Sequence, residues 1–239
     1  MAAPFPADWS RALVVAAHPD DIEYGVAAAV AVWTAAGKEV RYLLATRGEA
    51  VIAGMPPAQA GPLREEEERR SAAVVGVTEV EFLDHRDGTL VEGPALRTDL
   101  AAAIRRHRPD LVVTLHGGDT WTGPDVTPAA WNSADHRALS RSVLDAVADA
   151  GNEWIFPDLA GEPWSGVQYV AVQTIGEPPH VVDVTAGVEL AVASLTEHRR
   201  YLEVLSPDVP VEEQARRVVD QATLTEDGDR RVGFRLFWG

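Results

Sequence analysis

The sequence predicts an α/β fold in which a mostly parallel sheet is covered by helices on both faces. Short apolar runs of branched residues alternate with longer segments in which Ala, Leu, Glu and Arg recur at helical spacing. Regular alternation favours a parallel sheet, because each helix returns the chain to the edge where the next strand begins. At 239 residues, the chain is long enough to form this fold as one large domain.

The predicted strands are short, rich in branched residues and bounded by turn residues. They are ALVVAA (12–17), VRYLLA (40–45), VEFL (80–83), LVVTL (111–115), VQYVAV (167–172) and HVVDV (180–184). The predicted helices cover residues 22–36, 63–75, 95–107, 135–150 and 187–204.

Three further segments are irregular by their composition. Gly, Pro and Trp are frequent in residues 116–134 and 151–166, which we expect to form a rim or lid. The last segment, about 205–239, contains PDVP and EDGD turns and is expected to be a C-terminal appendage. We find no internal repeat and no linker-like composition, so residues 1–239 are expected to form a single domain.

Composition narrows the classes of partner. A net charge of −16 argues against nucleic acid or an anionic membrane, since both select clustered Lys and Arg. A small neutral or cationic molecule, or a metal ion, fits better. The start, MAAPFPADWSRALVV, lacks a basic segment followed by a long apolar one, so we expect a cytoplasmic protein. The oligomeric state stays open, with a homo-oligomer among the alternatives.

The stretch VVAAHPDDIEYG (14–25) carries the strongest chemical signal. His18, Asp20 and Asp21 directly follow the first predicted strand, and ligands bind at the carboxyl ends of strands in such sheets. One interpretation is a polar turn in which Asp20 or Asp21 caps the next helix. A cap needs one carboxylate, however, and neighbouring buried acids repel each other without a cation. The other interpretation assigns His18 and Asp21 to one divalent metal and leaves Asp20 beside it as a base.

A third ligand is needed for such a site, because catalytic zinc usually has three protein ligands and one open position. The chain has no Cys, so the ligands must be His, Asp or Glu. The best candidate is the Asp135–His136 pair in NSADHRALSRSVLDAV, which begins a predicted helix after the fourth strand. Imidazole and carboxylate ligands suit Zn(II) or Fe(II). Two unrelated polar turns are the alternative.

At these residues the sequence resembles the LmbE-like family of metal-dependent N-deacetylases, also called the PIG-L type. That family includes N-acetylglucosaminyl-inositol deacetylases and mycothiol-conjugate amidases. Its signature A-H-P-D-D, followed by a Glu and a Gly, is present between Ala17 and Gly25. Further family motifs follow in order: T-R-G-E at Thr46–Glu49, then Arg64, Glu67, Ala72, Ala73, Gly76 and Val77, then Asp87, and D-H-R at Asp135–Arg137. Several motifs in the correct order are far more specific than one.

The resemblance implies a Rossmann-like single domain that hydrolyses an amide. It assigns zinc binding to His18, Asp21 and His136, general-base catalysis to Asp20, sugar-hydroxyl contacts to Arg64 and Asp87, and orientation of the metal site to Asp135. The implied cofactor is Zn²⁺, with Fe²⁺ or another divalent ion as the alternative. The implied substrate is a small-molecule amide, most simply an acetylated amino-sugar.

The segment before His136 departs from the family pattern. The family has a His and a Pro where this chain has Ser133 and Ala134, and a Tyr where it has Trp131. Those positions often help to stabilise the tetrahedral oxyanion, and one oxyanion donor is worth about 3 kcal/mol. Trp131, Asn132 and Ser133 are the candidate replacements, because each carries a side-chain hydrogen-bond donor.

Three functional hypotheses follow. The first is a zinc-dependent hydrolase that removes an acyl group from the amine of a small amino-sugar or related metabolite. The second keeps the metal but places the scissile amide in a larger conjugate. The third is a zinc-binding protein with weak or no turnover, since its oxyanion residues differ from those of the family.

Two other features are expected to be structural. The charges of REEEERR (64–70) fall at i, i+3 and i+4 and should support a helix, with only Arg64 and Glu67 gaining a role from the resemblance. His198 is expected at a solvated helix position, and His116 at the active edge of the sheet. Neither histidine is assigned to the site.

Overall fold

The computed structural model describes residues 2–121 and 127–239. Its strands are β1 (Ala3–Pro4), β2 (Arg11–Ala16), β3 (Glu39–Leu44), β4 (Val80–Phe82), β5 (Leu111–Thr114), β6 (Tyr169–Gln173), β7 (His180–Asp183) and β8 (Arg231–Trp238). Its α-helices are α1 (Asp21–Gly25), α2 (Ala27–Ala35), α3 (Pro57–Val74), α4 (Pro94–His107), α5 (Ala134–Gly151), α6 (Val188–Thr196), α7 (Arg199–Leu205) and α8 (Val211–Thr223).

These strands form one sheet in the order β1-β7-β8-β6-β5-β2-β3-β4. β8 runs antiparallel to β6 and β7, and the other neighbouring pairs of described strands are parallel. The prediction of a mostly parallel α/β sheet is confirmed. The interior strand β2 pairs with β3 and β5, so its carboxyl end lies between those of two parallel neighbours.

Alternate residues of β2 enter two separate apolar cores. Val14 and Ala16 join the core covered by α1, α2, α6 and α8, whereas Leu13 and Val15 join the core covered by α4 and α5. All four side chains are buried. Because β2 is buried on both faces, its sequence is a continuous apolar run and does not alternate between apolar and polar residues. Helices on both faces were expected from the sequence.

The structure corrects the expectation of a C-terminal appendage at about 205–239. α8 packs against α6, and β8 lies inside the sheet between β6 and β7. Val232 and Phe234 of β8 are buried, whereas Arg231 and Arg235 are exposed. This period-two alternation is typical of an antiparallel strand, and the search for continuous apolar runs missed it.

Several element boundaries also differ from the predicted ones. The predicted helix 22–36 is divided at Val26 into α1 and α2, and the predicted helix 187–204 is divided after α6. α6 ends in tighter bonds of the i to i−3 type, from Glu197 N to Ser194 O and from His198 N to Leu195 O. α3 begins at Pro57, earlier than predicted, since Pro is well tolerated in the first turn of a helix.

The carboxyl ends of β2, β3, β4 and β5 lie along the same edge, because these strands are parallel. The polar loops after them, identified from the sequence, therefore meet there. Of the proposed rim or lid at 116–134, residues 122–126 lie outside the described part of the chain. In the described ranges, no helix is long and apolar enough to cross a membrane.

Candidate active site

The three predicted metal ligands meet at the end of β2. The chain leaves β2, turns through His18 and enters α1 at Asp21, whose Oδ2 accepts a hydrogen bond from His18 N at 2.8 Å. His18 Nδ1 lies 3.3 Å from the same oxygen. His136, in the first turn of α5, places Nε2 at 3.0 Å from Asp21 Oδ1. The Asp21 carboxylate is thus held between two imidazole rings.

The far nitrogen of each imidazole also faces an acceptor. His18 Nε2 lies 3.1 Å from Asp135 Oδ2 and 3.2 Å from Asp87 Oδ1. His136 Nδ1 lies 3.0 Å from Asn132 Oδ1. A neutral histidine donates only one hydrogen bond, so each ring facing acceptors on both sides requires either an extra proton or a cation beside Asp21. Metal-binding histidines commonly donate their second nitrogen in this way, so the residues fit a bound divalent ion.

Asp135 and Asp87 also stand close enough to His18 to form an alternative ligand group. Three of their four carboxylate oxygens already accept backbone N–H groups, however: Asp135 Oδ2 accepts from Gly88 N at 2.8 Å and Asp135 Oδ1 from Leu90 N at 3.0 Å. Asp87 Oδ2 accepts from Ala50 N at 2.8 Å. These bonds favour an outer, orienting position for both acids, with the ion among His18, Asp21 and His136.

The acids and histidines of this cluster shift one another's pKa values. Burial opposes the charged form of His18, but Asp21, Asp135 and Asp87 outweigh it and raise its pKa well above the ordinary range. Burial likewise opposes ionised Asp21, yet the charges of His136 and His18 hold the pKa of that carboxyl far below its usual value. Without a metal, these three carboxylates therefore favour the protonated form of His18.

Asp20 does not act as a side-chain cap. It occupies the position before α1, but its carboxylate makes no capping hydrogen bond in the described chain. Its Oδ1 instead lies 2.8 Å from Arg64 Nη2, and Arg64 also donates to Pro19 O and, at 3.1 Å, to Gly48 O. Burial raises the pKa of Asp20, the charge of Arg64 opposes that rise, and Asp21 adds to it. The carboxylate is therefore buried, fixed by Arg64 and next in sequence to Asp21, one of the predicted metal ligands.

The remaining predicted residues have distinct surroundings. Arg64 and Asp87, the expected sugar contacts, are buried and bonded to protein groups, and their contact with substrate stays a prediction. Ser133 caps α5, because its Oγ accepts from His136 N at 3.1 Å. Trp131 is 66% exposed, with the Arg137 guanidinium 4.7 Å from the centre of its ring.

Asn132 is buried and fully engaged. Its amide nitrogen donates to His116 O at 3.1 Å and to Gly118 O at 2.9 Å. Its Oδ1 faces His136 and accepts from Ser133 N at 2.8 Å. Asn132 therefore ties the loop after β5 to the orientation of His136.

A buried group beneath Asp20 was missed from the sequence. The expectation that His198 is solvated was wrong: His198 is fully buried, with Nε2 3.5 Å from both Glu23 Oε2 and Glu68 Oε2. Glu68 was expected only to support a helix through the spaced charges of REEEERR, and it is also fully buried. The available signal was spacing: Glu68 is four residues after Arg64, so the two share one face of α3.

Comparison with known proteins places the chain in a family. The PIG-L profile, described as GlcNAc-PI de-N-acetylase, matches residues 13–147, more than half of the chain. The sequence is 29% identical to the diacetylchitobiose deacetylase of Thermococcus kodakarensis over 195 residues, covering 80% of this chain and 70% of that protein.

A second relative is the 1D-myo-inositol 2-acetamido-2-deoxy-alpha-D-glucopyranoside deacetylase of Kineococcus radiotolerans. It is 26% identical over 228 residues, and the match covers 88% of this chain but only 56% of that protein. The fold matches the structure of N,N'-diacetylchitobiose deacetylase from Pyrococcus horikoshii with a TM-score of 0.78 at 23% identity, covering 96% of this chain and 84% of that one. The resemblance inferred from the sequence motifs is confirmed, and the chain belongs to the PIG-L family.

Proposed function

We propose that this chain is a metal-dependent hydrolase that removes an acyl group, most simply acetyl, from the amine of a small amino-sugar or related metabolite. The observation that carries the proposal is the meeting of His18, Asp21 and His136 beside the buried carboxylate of Asp20. Family membership and the deacetylase activity named for the relatives support the same reaction class.

Zinc is the ion that we infer for this site. Two imidazoles and one carboxylate supply the three protein ligands of a catalytic zinc site, although Fe(II) accepts the same donors. When bound, the ion supplies Lewis-acid activation of a water molecule and of the amide carbonyl. His18, Asp21 and His136 would hold it, with Asp135 orienting His18 and Asn132 orienting His136.

Asp20 moves the protons in this proposal. Arg64 holds Oδ1, so we assign proton transfer to Oδ2. That oxygen accepts a proton from the attacking water and then delivers it to the departing nitrogen, so the products are a carboxylic acid and a free amine. Burial raises the pKa of Asp20, so its carboxylate is a stronger base than that of an ordinary aspartate.

Ser133 is assigned to the oxyanion. Both amide hydrogens of Asn132 go to backbone carbonyls, which leaves none for the substrate. Trp131 is mostly exposed, whereas Ser133 Oγ accepts from His136 N and keeps its hydroxyl hydrogen for donation. Ser133 thus replaces the histidine of the family pattern, and Trp131 is the second candidate.

A substrate panel tests the proposal. Zinc-loaded protein is incubated with N-acetylglucosamine, N,N'-diacetylchitobiose, an N-acetylglucosaminyl inositol and larger N-acyl conjugates, and primary-amine release is measured. Chelator-treated protein is the control. We expect zinc-dependent release from at least one acetylated amino-sugar. Turnover of the larger conjugates alone would favour the amidase hypothesis. No turnover despite stoichiometric zinc would contradict the proposal and favour a binding protein.

A further inference from the structure

Glu68 lies beneath the loop that carries Asp20 and bonds directly to it. The Asp20 amide donates to Glu68 Oε2 at 3.2 Å, and Glu68 is fully buried. Asp20 therefore has two partners on α3, one turn of helix apart. Arg64 holds a side-chain oxygen of Asp20, and Glu68 holds its backbone N–H.

The backbone of Asp20 needs such support. Its φ is +89°, in the left-handed region that residues with a Cβ rarely adopt. A non-glycine residue persists there only when surrounding contacts fix it, and such residues concentrate at active sites. Arg64 donates hydrogen bonds to Pro19 O and Gly48 O, and these bonds hold the backbone beside Asp20. Glu68 accepts the hydrogen bond of the Asp20 amide itself.

Glu68 lies close to buried charged groups from two other parts of the chain. His198, between α6 and α7, places Nε2 at 3.5 Å from Glu68 Oε2 and from Glu23 Oε2. Glu23 Oε1 accepts from Ser71 Oγ at 2.6 Å, which fixes the α1 side of the group. All of these side chains are buried. Burial and the Glu23 carboxylate raise the pKa of Glu68 well above its ordinary value.

We propose that Glu68 is a positioning residue for the reaction: by accepting the Asp20 amide, it fixes the backbone from which the Asp20 carboxylate reaches the attacking water. The inference rests on the proposed function, because it takes Asp20 to be the general base. Glu68 does not contact the substrate, and it acts only through Asp20. His198 lies between the carboxyl groups of Glu68 and Glu23.

Two substitutions at one position separate positioning from packing. Glu68→Gln keeps an acceptor for the Asp20 amide, and Glu68→Leu fills a similar volume without one. Relative to the zinc-loaded wild type, we expect Glu68→Gln to retain kcat and KM within about threefold. Glu68→Leu should lower kcat by on the order of tenfold to a hundredfold, the loss expected when a reacting group is misplaced by about 1 Å, with little change in KM. Glu66→Leu is the matched control, because Glu66 lies on the exposed face of α3.

Amide hydrogen exchange at Asp20 gives a readout that does not depend on turnover. The Asp20 amide should be protected in the wild type and in Glu68→Gln, and should lose protection in Glu68→Leu. If the wild type hydrolyses none of the substrates, the proposed function fails, yet the exchange experiment still tests the contact. Glu68→Ala replaces the leucine variant if that variant does not fold.

Three results would overturn the inference. One is an unchanged kcat in Glu68→Leu, and another is unchanged protection of the Asp20 amide in that variant. The third is a zinc content of two ions per wild-type chain that falls to one in Glu68→Leu, which would make Glu23, Glu68 and His198 a metal site.

Discussion

Arg64 Nη2 lies 2.8 Å from Asp20 Oδ1, with only 1% of the Arg64 side chain and 10% of the Asp20 side chain exposed. Water therefore screens this ion pair little, and each charge depends on the other to remain buried. The pair fixes one oxygen of Asp20 beside the residues that meet at the end of β2.

Replacement of Arg64 by Met should destabilise the fold as well as reduce activity. Removing one partner leaves the Asp20 charge buried without compensation, which costs about 3–5 kcal/mol. Urea unfolding measures the loss. Arg70→Met is the control on the same helix, because its ion pairs are solvent-exposed and contribute at most about 1 kcal/mol. Equal losses in the two variants would contradict a structural role for the buried pair.

Asp135→Asn should weaken metal binding. Asp135 faces His18 Nε2 and accepts two backbone N–H groups, so an amide in its place disturbs the orientation of the imidazole. Loss of such an outer partner typically lowers metal affinity by about 10–100-fold. Competition with a chromophoric chelator measures the change. Asp145→Asn, at an exposed position of α5, should bind zinc like the wild type, and an unaltered affinity in Asp135→Asn would refute the assignment.

Ser133→Ala separates two contributions of one hydroxyl. Loss of the helix cap should cost about 1 kcal/mol of stability. Loss of an oxyanion donor should lower kcat by on the order of 10²-fold or more. Ser133→Thr keeps the hydroxyl and should retain most of both. If Ser133→Ala keeps its kcat and Trp131→Phe loses it, the donor is Trp131 instead.

From the Glu81–His107 pair, which lies outside the candidate active site, we expect the stability of the protein to depend on pH. Glu81 Oε2 lies 2.6 Å from His107 Nε2. Burial opposes the charged form of Glu81, but His107 and Arg106 outweigh it and lower its pKa below the ordinary 4.5. Because the pKa of Glu81 is lower in the folded state, its ionised carboxylate stabilises the protein at pH values above the unfolded-state pKa. This stabilisation is lost as the pH falls through the folded-state pKa.

The measurement is the difference in unfolding free energy between the wild type and Glu81→Gln. We expect it to be largest above about pH 5 and to shrink as the pH falls below about 4.5. Glu92→Gln removes an exposed carboxylate and should give a small difference at every pH. If the difference between wild type and Glu81→Gln instead increased as the pH fell, it would contradict a stabilising Glu81–His107 pair.

The sequence predicted the parts of the fold that local patterns encode. The strands β2, β3 and β5 were found because parallel strands buried on both faces form continuous apolar runs. The less buried strands β4, β6 and β7 were found as short runs of branched residues between turns. β8 was misassigned because an antiparallel strand alternates, and its Arg residues interrupt every apolar window. α1 ends at Gly25, a local signal for a helix end, whereas the break after α6 lies in SLTEHRRYLEVL, which contains neither Gly nor Pro.

The sequence likewise predicted some residues of the candidate site and missed others. We predicted His18, Asp21 and His136 from their positions after strands and from the order of the motifs. The structure brings these three residues together. Glu68 and His198 were not found, because a charged residue on a helix looks solvated until the opposing element is known. Their burial depends on how α3 meets the α6–α7 junction, which is a long-range property of the fold.

Asp20→Asn provides the most direct test of the central claim, that Asp20 is the base beside a metal held by His18, Asp21 and His136. Amine release and zinc content are measured on the same purified sample. The amide cannot accept the proton of the attacking water, so we expect turnover to be abolished while zinc remains at the wild-type level. A fully active Asp20→Asn protein would contradict the account.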